Sequence, residues 1–361
     1  MHPADCLIVR ALRDTLQLTS LPMREWDLLI RQGRKAGLLA RLHWQWTQSG
    51  QIKQVPEAAL AHLQSARIIA DKQALAVRWE VSQIRTTLLS IGVPLTLLKG
   101  AAYGLSGLAA GRGRVFSDVD MLVPKTHIAL VEAALKMRGW VATQHDAYDQ
   151  HYYRNWMHEI PPLVHLKRLT VIDVHHAILP ETARMKPDPA LLLDAVRAIP
   201  GESGLFTLAP SDMVLHSASH LFCGEFEHGL RDLSDIDLLL REFSTTAGFW
   251  DELVPRARQL DLMRPLYYAL HWATRLFATP IPTNVLNAID TCGRPLAPVK
   301  QFMDILLKRA LAPDHVSCHD ALSATARMLL YTRAHWLRMP PHLLAYHLAH
   351  KALFPPRAAE N

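Results

Sequence analysis

Cysteine is scarce in this chain: Cys6, Cys223, Cys292 and Cys318 are the only four in 361 residues, and no two form a Cys-x-x-Cys pair. That spacing excludes a zinc ribbon and a conventional redox dithiol, and free thiols in a reducing compartment are expected. No uncharged apolar run approaches the roughly 18 residues of a membrane span. Arg10, Arg13 and Asp14 interrupt the apolar pattern a leader peptide would need, so the expected location is the cytoplasm. Low-complexity tracts, repeats of fixed period and runs of five basic residues are missing as well. With Lys+Arg 39 against Asp+Glu 33, the formal net charge of +6 favours anionic ligands only mildly. The positive charges are scattered instead of forming the stripe of a dedicated nucleic-acid binder, and phosphate-bearing small molecules fit as well.

What the chain does contain is organised by period. From residue 4 to about 50 the apolar residues Leu7, Ala11, Leu16, Trp26, Ile30, Leu38 and Leu42 recur at helical spacing around the turn Thr19-Ser20-Leu21-Pro22, which predicts a pair of helices. Pro56 then opens a run without Gly or Pro that reaches Ile91 and predicts one helix of about 35 residues. After Gly92 the texture changes to short apolar runs bounded by Gly and Pro. Strands are expected over 95–98, 119–123, 140–143, 151–156, 163–167 and 171–175, with a helix over 126–138. From Pro210 onward the pattern is helical again. The fold class is therefore α+β: a helical segment over 1–92, a mixed-sheet domain over 93–200 and a helical domain over 201–361.

The segment Ser117-Asp-Val-Asp-Met-Leu-Val123 carries the chemistry. Its two carboxylates are spaced i, i+2 on a strand, where alternate side chains share a face, so Asp118 and Asp120 point the same way. Like charges that close are unfavourable unless a cation lies between them, and Mg²⁺ accepts one or two carboxylates together with phosphate oxygens. A third carboxylate, Asp173, sits in mid-strand in Val171-Ile-Asp-Val-His175, where a charge needs a cation or a donor. By parity His175, not His176, shares the face of Asp173. Upstream, Leu97-Leu-Lys-Gly100 runs from a strand into a glycine-opened helix that offers backbone N–H groups and Lys99 to phosphate. Arg112 and Arg114, in a glycine-flanked loop, are candidates to neutralise an anionic ligand, and Ser117 and Gly100 are counted with them.

Strand, glycine turn, helix, Asp-x-Asp strand and later Asp strand resemble the DNA polymerase β-type nucleotidyltransferase superfamily. Leu97-Leu-Lys-Gly100, Arg114 to Val123, Ile172-Asp-Val-His175 and Leu230-Arg-Asp-Leu-Ser-Asp235 together resemble the bacterial uncharacterised nucleotidyltransferase family. The resemblance implies that Asp118 and Asp120 hold a divalent metal, Mg²⁺ or alternatively Mn²⁺, and that Asp173 completes the catalytic triad. The reaction it implies moves a nucleoside monophosphate from ATP or another nucleoside triphosphate to a hydroxyl of a small molecule, a protein or an RNA. The superfamily's Gly-Ser turn is replaced here by Lys99-Gly100-Ala101-Ala102, so the Ser contact to phosphate is missing and Lys99 is the expected substitute.

A second cluster lies further along the chain. His216 and His220 are i, i+4 on one helical face, and Arg231, Asp232 and Asp235 follow. The expected role is to position substrate from the helical domain. Two rival readings stay open: a metal phosphohydrolase built on His216, His220, Asp232 and Asp235, and a non-catalytic nucleotide-binding protein.

Overall fold

The computed structural model describes residues 6–353 except 117, 144 and 145. Three helices, where two were expected, open the chain: α1 (Leu7–Leu12), α2 (Met23–Lys35) and α3 (Leu39–Gln48). Gly37, at φ 67°, makes the break between α2 and α3 that the apolar periodicity alone does not reveal. The long helix α4 (Glu57–Leu89) starts after Pro56 and ends before Gly92, as the absence of internal breakers requires. Its buried Glu80 accepts from Arg168 Nε at 3.0 Å and Nη2 at 2.7 Å, and that guanidinium lies over Trp79 and Trp140. This clamp fixes α4 to one edge of the sheet.

The sheet has seven strands: β1 (Leu95–Leu97), β2 (Val119–Leu122), β3 (Trp140–Ala142), β4 (Leu163–His165), β5 (Val171–His175), β6 (Arg197–Ala198) and β7 (Leu205–Thr207), in the order β3-β4-β5-β2-β1-β7-β6. β2 pairs parallel with β5 and β1 parallel with β7, while the other pairings are antiparallel. The division expected at residue 200 falls inside the β6–β7 turn, because β7 returns to lie beside β1. Short helices α5 (Lys99–Leu105), α6 (Ile128–Met137), α7 (Ala147–Trp156) and α8 (Pro189–Asp194) flank the strands. The strand expected over 151–156 is therefore wrong: those residues end α7, which Asp146 caps by accepting from the Tyr148 N–H at 3.0 Å. His151-Tyr-Tyr-Arg-Asn-Trp156 is aromatic enough to read as a strand, but the Asp146 cap and the Arg154 pair to Glu132 on α6 select the helix.

The remaining helices are α9 (Pro210–Cys223), α10 (Gly229–Phe243), α11 (Phe249–Gln259), α12 (Met263–Phe277), α13 (Thr283–Gly293), α14 (Ala297–Ala310), α15 (Ser323–Arg338) and α16 (Pro341–Leu353). Nearly every residue of α9 is buried, because α10, α11, α12 and α15 pack around it. Some buried carboxylates on these helices are answered by arginine. Asp212 is gripped by Arg256, whose Nε and Nη2 lie 2.6 and 2.7 Å from its oxygens. Among the described residues no helix is long and apolar enough to cross a membrane.

Candidate active site

The central parallel pair builds the site. β2 and β5 run in register with Asp120 opposite Asp173, so two carboxylates are side by side at the middle of the sheet. Asp118, just before β2, lines the same cleft with Lys99, Asp173, His175 and Glu159. The cleft, about 260 Å³, is closed on its far side by Ser219, His220 and Cys223 of α9 and by Arg338 of α15. The sheet thus supplies the acids and the helical layer supplies the opposite wall.

Asp120 is the most buried of the three, at 5% exposure. Its Oδ1 accepts from Lys99 Nζ at 2.8 Å and meets His175 Nε2 at 3.0 Å. Burial alone would raise its pKa, but Lys99 and then His175 hold it well below the usual carboxylate range. Lys99 is half-buried, and the charges of Asp120, Glu159 and Asp118 outweigh the desolvation and raise its pKa. Its backbone takes the left-handed conformation, φ 46°, at the turn from β1 into α5, a strained choice for a residue with a side chain. His175 is 2% exposed and stands between two carboxylates, with Nδ1 3.1 Å from Glu159 Oε2. Burial favours the neutral ring, yet Glu159 and Asp120 raise its pKa.

Asp173 differs from Asp120. Among the described residues its buried Oδ1 has no hydrogen-bond partner, and burial, with the charges of Asp120 and Glu159 added, raises its pKa to about 7. Among the described residues no Arg or Lys pairs with it. A carboxyl held beside other acids with an unfilled oxygen is what a divalent cation's coordination would relieve, so the residues present fit such an ion. Among the described residues, Asp120, Asp173 and His175 have ligand atoms within 4.8 Å of one another, and so do His158, Glu159 and His175.

The other residues picked out by sequence divide. His220 is at the mouth of the cleft, 46% exposed at the side chain, and the positive charge of Lys99, with burial second, lowers its pKa to about 3. His216 is buried one turn away and is kept neutral by burial and by Lys99. Arg114 does not face the cleft: it is buried and pairs with Asp235, which Arg41 also grips at 2.7 Å. Arg112 lines a different cavity against α4, beside Leu75 and Arg78. Expected phosphate contacts from these two arginines are not what the fold arranges. Gly113, at φ 63°, shows why: a Cβ there would lie 2.5 Å from the backbone of Ala40 and Arg41, so the glycine-rich loop exists to pack on α3. Gly100 likewise makes room, since a Cβ would lie 2.6 Å from Arg114 Nε.

Arg231 Nε donates to Asp232 Oδ1 at 3.0 Å, and His220 Nδ1 is 4.0 Å from Asp232 Oδ2. The second cluster is thus neutralised largely by arginines, and neither of the two cation-sized groups among the described residues includes it. Ser117 lies outside the described residues. Sequence reasoning missed His158, Glu159 and Arg41. Arg41, in the otherwise apolar Leu38-Leu-Ala-Arg-Leu42, carried a signal as a lone charge on a buried helix face, whereas His158-Glu159 carried none at ligand spacing.

The uncharacterised nucleotidyltransferase family model matches residues 22–278, which takes in α2 through α12 and the whole sheet. The chain belongs to that family. No curated protein and no solved structure matches it.

Proposed function

We propose that this protein transfers a nucleoside monophosphate from a nucleoside triphosphate, ATP first among them, to a hydroxyl group of an acceptor. The observation that carries the reading is the in-register pair Asp120 and Asp173, with Asp118 at the same cleft and Asp173 Oδ1 unpaired. Asp118, Asp120 and Asp173 would hold the divalent cation, Mg²⁺ or Mn²⁺, whose chemistry is to neutralise phosphate charge and align the attacking and leaving oxygens. Lys99, 2.8 Å from Asp120, brings the cleft a cation for phosphate. His175 orients Asp120 through the 3.0 Å contact. Asp173 accepts the proton of the incoming hydroxyl through the carboxylate oxygen the cation leaves free. His220 lines the helical wall from which substrate is positioned, with Asp232 and Arg231 behind it.

The test is incubation of the protein, Mg²⁺, each nucleoside triphosphate in turn and a cell extract, followed by mass spectrometry. One molecule should gain a nucleotide mass with release of pyrophosphate, and Asp118→Asn should lose that product by orders of magnitude with its melting temperature unchanged. Inorganic phosphate released without an adduct would favour the phosphohydrolase. Nucleotide bound without any turnover would leave a binding protein.

A further inference from the structure

His158 and Glu159 form the wall of the cleft opposite Lys99, and nothing in nucleotidyl transfer as described requires a histidine there. The segment is held against β5: Glu159 forms an isolated antiparallel bridge with His175, and His176 N–H donates to the His158 carbonyl at 2.8 Å. That backbone pairing brings three side chains together. The rings of His158 and His175 are 5.2 Å apart between centroids, and Glu159 Oε2 is 3.1 Å from His175 Nδ1. Nδ1 of His158 is buried and, among the described residues, has no hydrogen-bond partner, which is costly for a polar ring atom unless something else answers it.

We propose that His158, Glu159 and His175 bind a transition-metal cation of the zinc class, in a site distinct from the all-carboxylate site of Asp118, Asp120 and Asp173. The donor set is two imidazole nitrogens and one carboxylate oxygen, which suits Zn²⁺, Co²⁺ or Ni²⁺ and discriminates against Mg²⁺, whose preference is for oxygen alone. The ligand atoms lie within 4.8 Å of one another. Bonds of about 2.0–2.2 Å to a shared ion would draw them in by rotamer adjustment only. Both histidines must be neutral to ligate, so binding releases any proton that His175 carries between Glu159 and Asp120. The cleft gives the ion a path in and room for a water or substrate oxygen at an open position.

The site has one consequence for its neighbour. With Nδ1 of His175 taken by the cation, its proton resides on Nε2, which then donates to Asp120 Oδ1 and fixes that carboxylate's orientation. His175 therefore links the two sites. The proposal does not rest on the transferase reading, because it concerns binding alone.

The test is titration of the chelator-stripped full chain with Zn²⁺ against a chromophoric chelator, in excess Mg²⁺ to occupy the carboxylates. One Zn²⁺ per chain should bind, at least 100-fold more weakly in His158→Gln and in Glu159→Gln, and with unchanged affinity in Asp118→Asn. Melting curves without metal identify any variant that fails to fold, and Co²⁺ added to the wild-type protein should give the visible absorption of nitrogen ligation, absent in His158→Gln. Zinc binding that survives His158→Gln, or that is lost equally in Asp118→Asn, would overturn the site. Failure of the nucleotide-adduct experiment would leave this result untouched.

Discussion

Two carboxylate clusters, one on α10 and one at the middle of the sheet, are built on opposite principles. On α10, Asp235 is 3% exposed and is clasped by Arg41 and Arg114, with Ser234 taking a further guanidinium hydrogen bond from Arg41 at 2.9 Å. In the sheet, Asp173 stands beside Asp120 with an oxygen unpaired and a pKa raised to about 7. Each places negative charge where water is scarce. The first has its cations in the chain, so its contribution is to hold α3, the glycine loop and α10 together. In the second, Lys99 answers Asp120 but among the described residues no Lys or Arg pairs with Asp173, and that carboxyl's discomfort is the mark of a group kept for a ligand.

The sharpest way to break this contrast is Asp235→Ala. Two buried guanidinium groups would lose their shared acceptor, and removal of one partner from a buried pair costs about 3–5 kcal/mol. Burial, with Arg231 nearby, already lowers the pKa of both Arg41 and Arg114 to about 10, so neither tolerates a further loss of compensation. Urea denaturation should show that drop; a loss under about 1 kcal/mol would mean the cluster is not a structural clamp.

Asp173→Asn should act in the opposite direction on stability. A carboxyl whose pKa is raised in the folded state, from 3.8 to about 7, is neutral in both states well below pH 3.8 and costs nothing there. As the pH rises from about 4 to 7 the unfolded chain ionises first, so folding loses stability progressively, on the order of 2–4 kcal/mol by pH 8. In metal-free protein the melting temperature of Asp173→Asn relative to wild type should therefore climb between pH 4 and pH 8, while transfer falls by orders of magnitude. A variant that melts lower than wild type at pH 8 with activity retained would place Asp173 with Asp235 among the structural acids.

The smallest effect is expected at Lys99. Lys99→Ala should weaken nucleoside triphosphate affinity roughly tenfold, the scale of one charge-assisted hydrogen bond. It should also flatten the salt dependence of binding, since charge on phosphate is screened by ions. Calorimetric titration at two ionic strengths measures both. Affinity and salt slope equal to wild type would confine Lys99 to pairing with Asp120.

Particular elements show why some of this was legible in the sequence. Val171–His175 reads as a strand because β-branched residues flank a period of two, and α4 reads as one helix because nothing inside it can end it. Asp118, Asp120 and Asp173 stood out because charge in an apolar strand is costly and needs a reason. The misreadings share another origin. His151–Trp156 was decided by a cap and an ion pair to α6, and Arg114 by Asp235, some 120 residues away, so neither outcome could be seen in a local window.

By itself the sequence determined the long helix α4, the strands β2 and β5, the faces on which Asp120, Asp173 and His175 lie, and the family, because these depend on local period and on short motifs. Only the tertiary structure decided which charges answer which. It brought Arg41 and Arg114 to Asp235, Lys99 to Asp120, His158 and Glu159 to His175, and even the thiols of Cys6 and Cys318 to 3.0 Å. The physical reason is that a buried charge is settled by whatever partner packing delivers within a few ångströms, and sequence separation does not enter that energy.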